Sequence, residues 1–161
     1  GREKARLQRA VLEAVPPGES LATAEETARR TLAEAESYLT AGNYAAARER
    51  LERILRDVDP NHPGAFYGLA LLASLAQDRE QAKQYFLRTL EQAREPHLLG
   101  WTHVYLGRIY DLEGHREQAL AHYRAALALD TRLERVEQAA RRGLERPFGQ
   151  KEEPEAPTPR F

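Results

Sequence analysis

One spacing, repeated three times, constrains this chain more than any other feature. Ala47, Leu51 and Leu55 recur as Ala82, Phe86 and Leu90, and again as Ala119, Tyr123 and Leu127, at offsets of 35 and 37 residues. Each trio follows i, i+4, i+8, which places one small and two larger side chains on one helical face. Upstream of each lies a second helical segment closed by a turn: Ala41-Gly42-Asn43, Gln77-Asp78 and Glu113-Gly114. Gly, Asn and Asp tolerate the left-handed conformation that ends a helix. The expected unit is therefore a helix hairpin present three times, and the fold class is all-α.

The third unit reads His103-Val104-Tyr105-Leu106-Gly107-Arg108-Ile109-Tyr110, then Gly114, Ala119, Tyr123, Ala126 and Leu127. The first offers Ala35, Tyr38, Gly42, Tyr44 and Ala47 and ends at Asp59-Pro60; the second offers Phe66, Leu69, Ala70, Ala82 and Phe86. These residues resemble the tetratricopeptide repeats over about residues 28–131. Three departures stand out: Gln77 where the family favours glycine, a longer exit from Gln92 to Pro96, and Asp130-Thr131 in place of Asp-Pro. The resemblance implies a right-handed solenoid of three hairpins over residues 20–131 and a non-catalytic role in protein–protein interaction. It also implies a concave groove lined by the first helix of each hairpin. Projected onto this chain, the groove positions are Leu32, Glu36 and Leu39, then Tyr67, Leu71 and Ser74, then Trp101, Val104, Arg108 and Asp111. Members that clamp the terminal carboxylates of chaperone tails present lysines and asparagines there, which this chain lacks.

The flanks complete the plan. Residues 1–19 read as an amphipathic helix, with Leu7, Val11 and Val15 in a stripe, and a linker at Pro16-Pro17-Gly18. Thr23 with Glu26, and Thr131 with Glu134, form capping-box patterns. The second starts a capping helix over 132–147, stopped by Pro147, as the open end of a repeat array requires. Arg141, Arg142 and Arg146 alternate with Glu137 and Glu145, the pattern of a salt-bridged helix rather than a phosphate patch. Residues 148–161 carry prolines, glutamates and a final Phe161, a composition expected to be extended and disordered when alone.

Composition narrows the function classes. With 24 basic against 25 acidic residues, the net charge of −1 disfavours nucleic acid as a partner. Having no cysteine removes disulfides, thiolate metal sites and cysteine nucleophiles together. The longest weakly polar run, Ala65 to Ala76, is short of the roughly 20 residues a membrane span needs. Of the five histidines, His115 and His122 stand seven apart on one expected helix and His103 lies on the preceding one, whereas chelation along a helix favours i, i+4. His62 and His97 fall beside prolines in expected loops. No metal or cofactor is expected, and Ser20, Ser37 and Ser74 sit in no nucleophile elbow, so no catalytic residue is assigned.

The helix from Phe66 to Leu75 is apolar all round, which calls for burial on every side. The expectation is that a protein segment fills the groove, with Leu32, Leu39, Tyr67, Leu71, Trp101, Val104 and Arg108 as contacts. Copies of the same chain are the expected partner. Leu7, Val11, Val15 and Phe161 are the inserted anchors, and head-to-tail insertion extends into an oligomer or filament. An adaptor module of a larger secreted or envelope protein is the alternative. The start at Gly1 without methionine fits a processed product or an excised fragment; the compartment stays open, with an extracellular or envelope location favoured if an upstream segment was removed.

Overall fold

A computed structural model describes residues 20–150 and the isolated residue Arg2. The expected helix of Leu7, Val11 and Val15, and Phe161, lie outside the described residues. All regular structure among those described is helical: α1 (Ser20–Thr40), α2 (Tyr44–Asp57), α3 (Pro63–Leu75), α4 (Arg79–Gln92), α5 (Pro96–Leu112), α6 (Arg116–Ala128) and α7 (Glu134–Glu145). The chain divides into two compact units at Pro60–Asn61.

In the first unit α1 packs against α2 as a hairpin. Ala28, Ala35 and Leu39 from α1, and Ala47, Leu51 and Ile54 from α2, are buried. Arg50 holds the hairpin polar edge: it donates to Glu34 across the helices at 2.7 Å, pairs with Glu49, and lies over the Tyr38 ring at 5.4 Å. The helix starts at Ser20, so Thr23 stands inside its first turn, and the expected cap there is corrected.

The second unit contains two hairpins, α3/α4 and α5/α6, with α7 packed on α6 and α5. Every residue of α3 from Gly64 to Ala73 is buried. Its start is set by Pro63 in the first turn and by His62, whose Nδ1 accepts from the Ala65 N–H at 3.1 Å. His62 is thus a cap, and His97 belongs to the first turn of α5 rather than to a loop. The expected box at Thr131 is also corrected: Thr131 Oγ1 accepts from the Leu133 N–H, and α7 begins after Leu133.

All three hairpin turns share one hydrogen-bond pattern. Asn43, Asp78 and His115 donate N–H to the carbonyls of Tyr38, Ala73 and Tyr110 at 2.8, 2.9 and 2.8 Å. Gly42, Gln77 and Gly114 donate to Leu39, Ser74 and Asp111. These paired bonds close the helix through one left-handed residue, with φ of 81°, 60° and 79° respectively. Glycine adopts that conformation freely, whereas a side chain costs about 1–2 kcal/mol. Gln77→Gly is therefore expected to stabilise the protein by about 1 kcal/mol, read as a higher urea midpoint at unchanged m-value.

The repeated trio is partly corrected. Its first two positions are buried in every copy, but Leu55, Leu90 and Leu127 are only half-buried. The residues one place earlier, Ile54, Thr89 and Ala126, are fully buried. On a helix of 3.6 residues per turn, i+7 returns within about 20° of i, whereas i+8 overshoots by about 80°.

Candidate partner-binding cavity

Asp111 organises one end of the second unit. Its carboxylate, 1% exposed, accepts from Arg116 at 2.9 and 3.0 Å, from the Tyr123 hydroxyl at 2.8 Å and from the backbone N–H of Phe148 at 2.9 Å. Arg116 also donates to the Leu144 carbonyl at 3.2 Å, near the end of α7. Burial, followed by the hydrogen bond to Asp111, raises the Tyr123 pKa, so its hydroxyl remains a donor at neutral pH. The chain leaving α7 is thereby tied to α5, and Phe148 is brought beside Arg108.

Arg108 lies over two rings, its guanidinium carbon 4.9 Å from the centroid of Phe148 and 5.7 Å from that of Tyr105. Both contacts are of cation–π type and favour the charge staying beside these rings. Next to it opens a cavity of about 550 Å³. Leu71 and Phe86, both fully buried, are among its lining residues, and Tyr105 stacks on Phe86 with centroids 5.3 Å apart. Leu75, Ala82, Ile109, Leu112 and Phe148 supply the rest of the apolar wall. Ser74, Gln77, Arg79 and Arg108 are the polar members, and among the described residues no carboxylate lines it. Leu112 stays 44% exposed at this wall, a large apolar side chain that the unit leaves uncovered.

The expected groove residues divide into two groups. Leu71, Arg108 and Ser74 do line the cavity. Tyr67 and Val104 are fully buried and Trp101 is 6% exposed, so their side chains pack in the core of this unit and do not line the cavity. The Tyr67 ring packs edge-on against Phe86 and tilts against Tyr105, and Trp101 tilts against Tyr105 at 5.9 Å. Asp111 is a buried anchor rather than a contact. Leu32 is half-buried and Leu39 buried, both in the first unit. The apolar girth of α3 is accounted for by this core, and the free apolar surface has shifted toward the turn end of the hairpins. Sequence reasoning missed Leu75, Arg79, Ile109, Leu112 and Phe148. Leu75 and Leu112 each lie one place beyond a projected groove position, a signal that could have found them.

The histidines pair across helices, not along one. His103 on α5 and His122 on α6 approach through their Nδ1 atoms at 3.0 Å, and the His122 ring stacks on Tyr110 with an interplanar angle of 8°. Burial lowers the pKa of both, that of His103 to about 4, with His122 adding to the effect. Both rings are accordingly neutral at pH 7. Among the described residues, no group of three or more His, Cys, Asp or Glu is placed to hold a metal ion, and no helix is long and apolar enough to cross a membrane.

Comparison with protein families agrees with this architecture. Residues 38–100 match one family model and residues 102–132 a second, both described as tetratricopeptide repeat. No curated protein matched the chain.

Proposed function

The chain belongs to the tetratricopeptide repeat family, a protein–protein interaction module, and from that premise we propose that it is a non-catalytic scaffold that associates with copies of itself. The cavity of one copy receives residues 151–161 of another. The observation that carries this reading is the cavity's lining: an apolar surface flanked by Arg79 and Arg108, with no carboxylate among the described residues. The C-terminal residues are complementary. They hold Glu152, Glu153 and Glu155 against Lys151 and Arg160, together with Pro154, Pro157 and the aromatic Phe161.

Charge separates this segment from the other expected anchor. The stripe of Leu7, Val11 and Val15 is accompanied by Arg2, Lys4, Arg6 and Arg9 against Glu3 and Glu13, which would meet Arg79 and Arg108 of the cavity with like charge, whereas the C-terminal glutamates meet them with opposite charge. Eleven residues span at most about 40 Å when fully extended. A net charge of −1 leaves little long-range repulsion between copies.

Light scattering across a concentration series tests the reading. The wild-type mass is expected to rise above the 18.3 kDa of one chain, and Phe161→Ala and Leu75→Asp are expected to hold it there. Leu75→Asp sets a carboxylate in the wall against the incoming glutamates. A wild-type mass fixed at one chain, or self-association indifferent to Leu75→Asp, overturns it.

A further inference from the structure

A second, smaller cleft opens at the end of α7 and shares Arg108 and Phe148 with the large cavity. Arg142, in the last turn of α7, and Arg146, just past its end, line it together with Tyr123 and Gly143. We propose that this cleft is a carboxylate-binding site, and that its ligand is a glutamate from residues 152–155 of a second copy. The inference rests on the self-association reading above; it adds a site on α7 and a direction for the bound segment, with Phe161 in the large cavity and the glutamates on the α7 side of Phe148.

The argument starts from charge. Three of the lining residues carry guanidinium groups, and among the described residues no carboxylate lines the cleft. Like charges gathered round one small opening repel one another, and an anion placed among them offsets that cost. The carboxylate of Asp111, which accepts from the Tyr123 hydroxyl and the Phe148 N–H, is matched by its ion pair with Arg116 at 2.9 Å. Glu145 is exposed and lines neither cleft, and Arg141 pairs with Glu137 at 3.4 Å. The arginine run at the end of α7 thus divides, with Arg142 and Arg146 directed to the cleft.

Size and shape select the anion. The cleft measures about 10 Å³, room for one oxygen-sized group. A planar carboxylate can place one oxygen inside and leave the other at the mouth, where Arg142 and Arg146 are exposed. The fork of a guanidinium matches that carboxylate edge with paired charge-assisted hydrogen bonds. Order along the segment agrees with the order of the two clefts. Glu155 and Phe161 are six residues apart with Pro157 and Pro159 between them, a spacing that reaches about 19 Å when extended as polyproline II. One strand passing over Phe148 can therefore present its acidic end to the small cleft and its aromatic end to the large one.

Light scattering on charge-reversed full chains tests the site. One chain carries Arg142→Glu and Arg146→Glu; a second carries Glu152→Arg, Glu153→Arg and Glu155→Arg. Each alone is expected to stay near the mass of one chain, whereas the mixture associates, because the unaltered segment of the first meets the unaltered cleft of the second. A milder variant, Arg142→Gln with Arg146→Gln, is expected to keep its helical circular dichroism and to self-associate about tenfold more weakly, the loss of roughly one hydrogen bond between charged groups. If the wild type associates and Leu75→Asp abolishes this while both arginine variants assemble like the wild type, the carboxylate site is overturned and the self-association reading stands. A mixture that stays at the mass of one chain also overturns the site. A wild type fixed at one chain removes both.

Discussion

Asp111→Ala is expected to destabilise the second unit by about 3–5 kcal/mol, the cost of removing one partner from a buried charge pair. The carboxylate is 1% exposed and receives Arg116, Tyr123 and the Phe148 N–H together. Alanine leaves a part-buried guanidinium, a buried phenol and a backbone N–H without their acceptor, and each carries its own desolvation penalty. At roughly 2–4 °C per kcal/mol for a chain of this size, the thermal midpoint falls by about 10 °C. Tyr123→Phe removes only one neutral donor and is expected to cost about 1 kcal/mol. The contrast between the two, measured by urea unfolding, separates a hub from a single hydrogen bond. Because Phe148 forms part of the cavity wall, Asp111→Ala is also expected to weaken partner binding even below its melting temperature.

Gly143→Ala has the second large effect, about 3 kcal/mol, at the upper end of what overpacking a core costs. A Cβ at Gly143 would stand 2.4 to 2.6 Å from the Cζ, Cε1 and Cε2 atoms of Tyr123. The ring has little room to retreat, since a Cβ at Gly107 would also stand 2.5 Å from its Cε1 and Tyr123 is fully buried. Helices α5 and α7 therefore approach Tyr123 of α6 through glycine on both. Combining Gly143→Ala with Tyr123→Leu is expected to cost less than the sum of the two changes, because the smaller side chain vacates the space. Additive losses, measured as a double-mutant cycle, would mean the close approach is not what Gly143 provides.

The hairpins were legible because helical burial leaves a period, and the period survives substitution: Ala47, Ala82 and Ala119 all reach the core although their neighbours differ. The turn at Gln77 was legible too, despite lacking glycine, because the pattern around it matched its sister turns. What failed was fine register. Leu55, Leu90 and Leu127 are apolar at i+8, but rotation places Ile54, Thr89 and Ala126 inward instead, and a buried threonine gives no apolar signal. The cavity was legible only in Leu71, Ser74 and Arg108. Phe148 was the least readable part of its wall, because nothing local announces that the chain after α7 turns back. That return is set by a hydrogen bond to Asp111, a residue 37 positions away. The His103–His122 pair was missed for a related reason: spacing along one helix cannot show what two helices bring together.

The central claim is that the terminal segment of one copy occupies the cavity of another, and photocrosslinking measures this most directly. Phe161 is replaced by its benzoyl derivative, equal amounts of 14N and 15N chains are mixed and irradiated, and the linked peptides are read by mass. Links are expected from position 161 to Leu75, Ile109 or Leu112, half of them pairing the two isotopes. Links confined to a single chain, or linked peptides that avoid the cavity wall, would contradict it.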